Sequence, residues 1–401
     1  MFDFKVYRGS DEIGGTCIEL YTENTRILLD CGLPLFDKFR NQLDTNIFKK
    51  ETFENLRASG LLPDIKGFYQ NEDKSIDAVF ISHSHIDHYG MLKYVNFEIP
   101  VYVSDGTKSQ IGINSIFLNV PCNTKNFIII NNQEKVKINE FIITPYLMDH
   151  SAFDAFGFLV ECEGKRLFYT GDFRGTGRKG ILTDRLIKYP IKNLDYLFCE
   201  GSNLTRDEHL YPDEQSVETE LVKEFNENPD TMHYTVMSSQ NIDRIVSFYR
   251  ACLKTGKTFV IDLYTAFILD KLKTANNKIP QINFDKIKIY IADRHYKKVK
   301  KTNNNYNFIN KCFQNSIKLD KVRDMGNNVC MIVHEDKEFW ILNRISSGKK
   351  RRLIYSMCDI YLSDKFKNYL AGQNIDILKI HHSGHATRET LSAFINAMKP
   401  K

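Results

Sequence analysis

The 401-residue sequence contains little of what marks non-globular chains, with only 21 glycines and 10 prolines. This low content excludes collagen-like and low-complexity architectures, and 42% hydrophobic residues exclude a disordered chain. No run approaches the roughly 18–20 apolar residues that a membrane-spanning helix needs. The opening residues, MFDFKVYRGSDEIGG, lack the basic and apolar segments of a secretory signal. These absences predict a globular cytoplasmic protein without a membrane partner.

The nine cysteines are scattered, and no two of them form a C-x-x-C pair. Cys162 and Cys199 lie in apolar segments that are typical of core strands. This distribution argues against a disulfide scaffold and against a cysteine-based zinc site. It predicts reduced, buried thiols.

The charge balance is mildly basic, because 55 lysines and arginines against 50 acidic residues give a net charge of +5. So small an excess is weak support for an anionic partner. The positive charge is concentrated in two runs, Lys297, Lys298, Lys300, Lys301 and Lys349, Lys350, Arg351, Arg352. Each run is typical of a solvated surface turn, and each would also suit a nucleic-acid backbone.

Three stretches of the sequence differ in pattern. Residues 1–204 hold many short segments rich in β-branched and aromatic residues, which predict stacked sheets flanked by helices. Residues 205–345 alternate strands with helical patterns, one over 213–228 and one ending at Gly256, and predict a smaller parallel sheet. Residues 346–401 return to the first pattern. We therefore predict an α/β chain whose middle domain is inserted into, or appended to, a first domain.

The densest group of chemically active residues lies in FISHSHIDHYG. An apolar strand precedes His83 and His85, which are two residues apart and point the same way in an extended chain. Asp87 and His88 follow as the chain turns into a helix. Imidazoles are the commonest metal ligands in proteins, and a carboxylate adds charge neutralisation. Four such residues within six positions predict a metal site rather than packed core histidines.

Two further segments place ligand-type residues at strand ends. His150 follows the apolar run FIITPYLM, and Asp172 follows RLFYTG. Taken alone, His150 could be a surface residue and Asp172 part of a simple turn. Because ends of strands at one edge of a sheet converge and loops carry sites, we expect both residues to join the histidine cluster.

Together, H-S-H-I-D-H at 83–88, His150 and T-G-D at 170–172 resemble the metallo-β-lactamase superfamily. The resemblance implies an αββα sandwich with a two-zinc site at one edge of the sheets, with manganese as an alternative metal. It implies that His83, His85 and His150 bind one ion, that Asp87 and His88 bind the other, and that Asp172 bridges them. Asp30 in LLDCG matches an early aspartate with a supporting role.

A two-metal site has a chemical consequence that depends little on the substrate. Two cations about 3.5–4 Å apart generate hydroxide at neutral pH and neutralise charge developing on a phosphate. The same site can attack a lactam or thioester carbonyl, so the ligands alone do not select the substrate.

Three later segments resemble the β-CASP branch, and most closely its ribonuclease J-like members: FCEGSNL, MSSQNIDRIVSFYRACLKTGKTFVID and HHSGHATRETL. The resemblance places a β-CASP domain at 205–345 and makes Glu200 and His385 catalytic together with Asp87. His385 would donate a proton to the leaving oxygen, and Glu200 would orient it. Predicted substrate contacts are Ser383 and Gly384 at a helix start, and Ser239 and Asn241, for which helix capping is an equal alternative.

In the family, a last histidine that binds the second metal follows a Lys-Pro turn. Here that turn is followed at once by Lys401, the final residue of the sequence. We expect the returning segment 346–401 to be incomplete through truncation, which leaves the second zinc and the activity of this chain open.

The sequence thus predicts a zinc-dependent ribonuclease that cuts single-stranded RNA, as an endonuclease, a 5′ exonuclease or both, by metal-hydroxide attack. One alternative is a DNA nuclease or repair enzyme of the same branch. Another is a non-catalytic nucleic-acid-binding subunit, which the intact ligand set disfavours. A small-molecule lactamase or thioesterase would leave the middle domain without a purpose. A homo-oligomer is left open.

Overall fold

The computed structural model describes residues 2–37, 41–44, 46–118, 120–204, 211–273, 279–302, 306–335, 340–346, 348 and 350–401. The contacts divide the chain into two compact units. Unit 1 comprises Met1–Gly175, Lys179–Thr205 and His385–Lys401, and unit 2 comprises Thr176–Arg178 and Arg206–Gly384.

The strands of the described residues are, in chain order, β1 (Asp3–Arg8), β2 (Cys17–Tyr21), β3 (Arg26–Leu29), β4 (Ala78–Phe80), β5 (Val101–Val103), β6 (Phe127–Ile129), β7 (Val136–Ile138), β8 (Phe141–Leu147), β9 (Phe156–Cys162), β10 (Lys165–Tyr169), β11 (Tyr196–Phe198), β12 (Met232–Met237), β13 (Thr258–Asp262), β14 (Ile287–Tyr290), β15 (Val329–Ile332), β16 (Arg351–Ser356) and β17 (Ile375–Lys379). The α-helices are α1 (Ile47–Lys50), α2 (Phe53–Ala58), α3 (Ile86–Tyr89), α4 (Asp105–Phe117), α5 (Ile181–Lys188), α6 (Glu214–Glu227), α7 (Ile242–Thr255), α8 (Leu263–Leu272), α9 (Asp293–Lys300), α10 (Tyr306–Gln314), α11 (Leu319–Met325), α12 (Ile341–Arg344), α13 (Asp364–Gly372) and α14 (Arg388–Met398). Short 3₁₀ turns cover Gly90–Lys93, Gly326–Asn328 and Asp359–Tyr361.

Unit 1 is a four-layer sandwich. One sheet has the order β1-β2-β3-β4-β5-β6 and the other the order β11-β10-β9-β8-β7. One apolar cluster joins facing side chains of the two sheets, such as Phe80 and Phe158. A second cluster covers the outer face of the first sheet, and a third packs α5 and α14 on the second sheet. The predicted αββα sandwich is therefore confirmed.

The alternation of side chains along single strands produces these layers. In β9, Phe158 and Val160 contribute to the cluster between the sheets, whereas Leu159 contributes to the cluster under the helices. Successive side chains of a strand point to opposite faces, so an uninterrupted apolar run fills both layers. Each such side chain contributes roughly 1.5–3 kcal/mol of stabilisation by leaving water.

Unit 2 is built on one six-stranded sheet in the order β14-β13-β15-β12-β16-β17, and all its pairings are parallel. The predicted parallel sheet covered by helices is confirmed. A capping box of Asp213 and Ser216 begins α6. Gly256 ends α7 with a φ of 75°, a left-handed conformation that glycine adopts without strain.

The predicted return to the first domain at residue 346 does not match the units of the structure. β16 pairs in parallel with β12, and β17 pairs in parallel with β16, so both strands extend the sheet of unit 2. The chain re-enters unit 1 only at His385. The apolar pattern of residues 351–356 shows that they form a strand, but it does not show which sheet the strand joins.

The second basic run is only partly described, since Lys349 lies outside the described residues. Arg351 and Arg352 begin β16 instead of forming a solvated turn. Nη1 of Arg352 donates to both carboxylate oxygens of Glu224 at 2.7 and 2.9 Å. Arg351 donates to the backbone oxygen of Gln373. The two arginines are thus occupied by contacts within unit 2.

Two further predictions concern cysteines and membrane helices. All nine cysteines lie in the described part of the chain and are free thiols, six of them buried. Across the ranges given above, none of the helices has the length and apolar character to cross a membrane.

Three side chains that the sequence analysis did not single out meet at the carboxyl ends of β13, β14 and β15. His334 Nε2 lies 2.8 Å from Asp262 Oδ2, and His295 Nδ1 lies 3.5 Å from the same oxygen. Burial lowers the pKa of His295 to about 4, against the opposing effect of Asp262. Arg294, His334 and Lys298 lower it further. His295 is therefore neutral in the folded protein at pH 7.

We expect this buried neutral histidine to make the fold acid-sensitive. The unfolded chain binds a proton at His295 below about pH 6.5, whereas the folded chain does so only near pH 4. The free energy of unfolding is thus not reduced by His295 above pH 6.5. It falls as the pH decreases towards 4, by up to about 3 kcal/mol. Urea unfolding of the wild type and of His295→Asn between pH 4.5 and 7.5 measures this. The variant should show the shallower slope, and equal slopes would contradict the prediction.

Candidate metal centre

The segment that carries four of the predicted ligands is fixed by backbone contacts with the loop after β3 and with Thr16, which precedes β2. The amide of Cys31 donates to the carbonyl of His88 at 2.8 Å, and the amide of Thr16 donates to the carbonyl of Asp87 at 3.0 Å. A Cβ atom at Gly32 would lie 1.6 Å from the carbonyl oxygen of Asp87. Only glycine allows this approach, so the D-C-G sequence determines how the turn after β4 is held.

Asp30 connects this loop to the histidines. Its side chain is fully buried, and it accepts hydrogen bonds from the amide and the hydroxyl of Ser82, each at 2.6 Å. His88 Nδ1 lies 2.7 Å from Asp30 Oδ2, and the hydroxyl of Tyr169 donates to the same oxygen. The contact to Nδ1 directs the opposite nitrogen of His88, Nε2, towards the other predicted ligands. This geometry is the arrangement expected of a supporting residue.

Four of the predicted ligands converge in one cluster. His83, His85, His150 and Asp172 each offer a ligand atom, and these four atoms lie within 4.8 Å of one another. His85 Nδ1 lies 3.1 Å from His83 Nε2 and 3.2 Å from His150 Nε2. Asp172 Oδ2 lies 3.7 Å from His83 Nε2. The strand-end residues that the sequence placed together are therefore together in the structure.

The cluster fits a divalent transition-metal ion. Burial is the main cause that lowers the pKa of His83 and of His150 well below its ordinary value, so both imidazoles are neutral at pH 7. Burial also lowers the pKa of His85. Metal ligands must be deprotonated, and three neutral imidazoles with one carboxylate are a donor set that zinc and its neighbours accept.

Asp172 also faces the second predicted ligand group. Its Oδ2 atom lies 3.3 Å from His88 Nε2, and His88 Nε2 lies 3.8 Å from Asp87 Oδ2. Burial would raise the pKa of Asp172, but His88 and His385 hold it well below its usual range. One ionised carboxylate oxygen thus lies between the two predicted groups of ligands.

Glu200 and His385 lie directly beside this carboxylate. His385 Nδ1 is 3.3 Å from Glu200 Oε2 and 3.7 Å from Asp172 Oδ2. Glu200 Oε1 accepts a hydrogen bond from the amide of Ala386 at 2.7 Å. Burial opposes protonation of His385, but Asp172 and Glu200 outweigh it and raise its pKa to about 9. The predicted proton donor His385 and its orienting residue Glu200 are therefore adjacent to the predicted metal ligands.

Asn203 holds the same segment and was missed by the sequence analysis. It is buried, and its Nδ2 atom donates to the carbonyls of His385 at 3.1 Å and of Ala386 at 3.3 Å. With the carboxylate of Glu200 on the amide of Ala386, it fixes the backbone at the start of α14. In the sequence, only its position three residues after Glu200 could have indicated this role.

A buried ion pair next to two predicted ligands was also missed. Asp149 precedes His150, Arg174 follows Asp172 by two residues, and both charged side chains are fully buried. Arg174 Nε lies 3.7 Å from Asp149 Oδ1, and the amide of Arg174 donates to the carbonyl of Asp149 at 2.6 Å. This contact connects the loop that carries His150 to the loop that carries Asp172.

The four predicted substrate-binding residues all belong to unit 2. Ser239 Oγ lies 2.8 Å from Thr265 Oγ1, and the side chain of Asn241 accepts a hydrogen bond from the amide of Arg244 at the start of α7. The capping alternative thus describes Asn241. Ser383 and Gly384 follow β17 and directly precede His385. Contact of these four residues with a substrate stays a prediction.

Known proteins share this fold and sequence pattern. The chain is 23% identical over 278 residues to an RNase J-like protein of Methanocaldococcus jannaschii, which covers 65% of this chain and 57% of that protein. It is 22% identical over 428 residues to ribonuclease J of Mycoplasma genitalium, which covers 99% of this chain and 66% of that protein. A crystal structure of a protein of unknown function from Enterococcus faecalis superposes with a TM-score of 0.80 at 23% identity, covering 100% of this chain and 92% of the other.

These matches span about 57% to 66% of the length of the two named relatives. The family profile described as the beta-lactamase superfamily domain matches residues 25–236, more than half of the chain. That range contains His83, His85, His150 and Asp172, so the matched region includes the whole cluster. The chain belongs to the beta-lactamase superfamily.

Proposed function

We propose that the chain is a metal-dependent ribonuclease that hydrolyses phosphodiester bonds of single-stranded RNA. The observation that carries the proposal is the four-residue cluster of His83, His85, His150 and Asp172 with His385 beside it. The similarity to an RNase J-like protein and to a ribonuclease J supports the choice of RNA as substrate.

Zinc is the proposed metal, with manganese as the alternative. His83, His85, His150 and Asp172 would hold one ion, and Asp87, His88 and Asp172 would hold a second. Divalent ions bound there supply a Lewis acid for the phosphate and a water of lowered pKa. Asp30 keeps the imidazole of His88 in one orientation through Nδ1, and outer partners of this kind are typically worth about 10–100-fold in metal affinity.

Proton transfer is the proposed task of His385. Its Nδ1 atom faces the carboxylate of Glu200, which fixes the plane of the ring. We therefore assign donation to the leaving sugar oxygen to Nε2, on the other side of the ring. Glu200 orients the imidazole and does not react. A positioned general acid of this type contributes about 10²–10⁴-fold to the rate.

Binding of the RNA backbone is the proposed task of the first basic run. Lys297, Lys298 and Lys300 lie in the last turn of α9, and Lys301 ends the helix. Positive charge on one short helix favours phosphate contacts and makes binding weaken as salt rises. The arginines of the second run are excluded from this role, because they are bonded within unit 2.

The test is cleavage of 5′-labelled single-stranded RNA by the purified chain loaded with Zn²⁺ or Mn²⁺, with EDTA as the negative control. DNA of the same sequence is assayed in parallel. Cleavage of RNA that requires metal supports the proposal. Faster cleavage of DNA would favour the DNA nuclease alternative. RNA that is bound but stays intact with either metal would overturn the proposal in favour of a non-catalytic binding subunit.

A further inference from the structure

A buried arginine of unit 2 bonds to the segment that directly precedes His385. Arg244 lies in the first turn of α7, and its side chain is fully buried. Its Nη2 atom donates to the carbonyl of His382 at 2.9 Å, and its Nη1 atom lies 3.2 Å from His381 Nδ1. The same Nη1 donates to the carbonyl of Ser356, the last residue of β16, at 3.1 Å. One guanidinium thus ties the end of β16 to the chain that follows β17.

The positive charge of Arg244 is neutralised by Glu214, which is itself buried. Nη2 and Nε of Arg244 donate to the two carboxylate oxygens at 2.8 and 3.2 Å, so the pair is bidentate. The hydroxyl of Ser247 donates to Glu214 Oε2 at 3.0 Å. Leaving either charge buried alone would cost about 3–5 kcal/mol, so the two residues act as a unit.

The segment after β17 is held by further polar contacts. His382 Nδ1 lies 2.8 Å from the carbonyl oxygen of Tyr211, and His382 Nε2 lies 2.6 Å from Thr176 Oγ1. The hydroxyl of Ser356 donates to the carbonyl of Ile380. The carbonyl of Ile380 and the side chain of His382 are therefore held by groups that are far from them in sequence.

Stability alone does not explain an ion pair at this position. Apolar residues of similar volume often replace a buried ion pair at no cost in stability, and sometimes with a gain. Apolar residues cannot replace the planar guanidinium group of Arg244, whose N–H groups bond to Glu214, Ser356 and His382 at the same time. A shift of about 1 Å at a reacting group costs on the order of 10²-fold in rate. Fixing this backbone would therefore affect the reaction rate as well as stability.

We propose that Arg244, paired with Glu214, is a positioning residue for the reaction. It fixes His381 and His382, and with them the backbone that leads through Ser383 and Gly384 into His385. The proposal deepens the ribonuclease function and rests on it. Arg244 itself does not react.

The experiment compares Arg244→Lys, which keeps the charge but loses the fork, with the charge-neutral double variant Glu214→Leu/Arg244→Met. Lys257→Met is the matched control. Lys257 is a buried cation of the same unit whose ammonium bonds to the carbonyls of Thr231 and Asn327, ahead of β12 and β15. It therefore lies at the amino ends of the strands of this sheet, whereas Arg244 contacts the carboxyl end of β16. Unfolding by urea, bound metal, kcat and KM are measured for each variant.

In Arg244→Lys and in the double variant we expect kcat to fall about 10–100-fold, with bound metal unchanged and the stability of the double variant close to wild type. The control should lose stability and keep kcat. Wild-type kcat in Arg244→Lys, or in a stable double variant, would overturn the proposal and leave the ion pair a purely structural feature.

Amide hydrogen exchange separates this proposal from the ribonuclease function. The peptide covering residues 380–386 should exchange faster in Arg244→Lys than in the wild type and in Lys257→Met. If the wild type does not cleave RNA, the proposed function fails, and the exchange result still decides whether Arg244 fixes this backbone. Unchanged exchange in that peptide would overturn the positioning role even where cleavage is observed.

Discussion

Replacing Asp172 with asparagine is expected to abolish RNA cleavage and to weaken metal binding. The substitution keeps the shape of the side chain and removes its charge. Oδ2 of Asp172 lies within 3.3 to 3.7 Å of nitrogens on His88, His83 and His385, so one atom serves both predicted ligand groups and the proposed acid. We expect a rate loss on the order of 10³-fold or more, because residues that act as a unit fail together.

Metal affinity should fall by more than the roughly 10–100-fold that is lost when a residue hydrogen-bonded to a ligand is removed, since Asp172 is itself a proposed ligand. The measurement is the stabilisation that added metal gives in thermal unfolding, which amounts to about 2.7 kcal/mol at a metal concentration 100-fold above Kd. The wild type should be stabilised by Zn²⁺, whereas Asp172→Asn should respond weakly.

Asp77→Asn provides the control for this prediction. Asp77 directly precedes β4, at the end of the strand opposite His83, and it accepts a hydrogen bond from the amide of Arg26 at 2.8 Å. Its loss should lower stability slightly and leave metal binding and cleavage intact. Wild-type metal response and cleavage in Asp172→Asn would contradict the proposed centre.

The sequence could locate the cluster because the predicted ligands follow a local rule. His83 follows β4, His150 follows β8, Asp172 follows β10 and Glu200 follows β11, so each residue lies just beyond an apolar strand. The apolar runs and the polar residues after them are visible within short windows of sequence. Because β8, β10 and β11 run in the same direction, the loops after them leave the second sheet at one end, where they meet the loop after β4 of the first sheet.

The contacts that hold the ligands could not be predicted, because they join residues with no local relationship. Asn203 bonds to a carbonyl 182 positions away, and Asp30 contacts a histidine 58 positions away. Arg174 is one of the largest fully buried side chains, although arginine is mostly exposed in proteins. Burial of charge depends on tertiary partners, and no periodicity reports them.

The predicted boundary at residue 204 agrees with the units, whereas the boundary at residue 345 does not, for a related reason. Residues 351–356 form a strand as predicted, but the choice of sheet is made by pairing with β12, over a hundred positions earlier. Parallel strands are always joined by a crossover, so sequence neighbours do not identify sheet neighbours. His385, the proposed proton donor, consequently stands at the point where the chain passes from unit 2 to unit 1.

Replacing His385 with alanine should lower kcat by about 10²–10⁴-fold and leave KM and bound metal nearly unchanged. We expect kcat to fall without a change in bound metal because the four-residue cluster is complete without His385. His385 faces Asp172 at 3.7 Å and Glu200 at 3.3 Å. Glu200→Gln, which keeps the volume but weakens the contact that orients the ring, should show a smaller loss of kcat. The relevant measurements are steady-state cleavage of labelled RNA and the metal content of each purified variant.

Metal content decides between two roles for His385, because Asp172, Glu200 and His385 also offer three ligand atoms within 4.8 Å. If His385 were a ligand, His385→Ala would lose metal together with activity, which would contradict the assignment as a proton donor. A substrate whose leaving sugar oxygen is replaced by sulfur gives the positive test. Thiolate leaves without a proton, so His385→Ala should cleave this substrate at close to the wild-type rate, whereas Asp172→Asn should remain inactive on it.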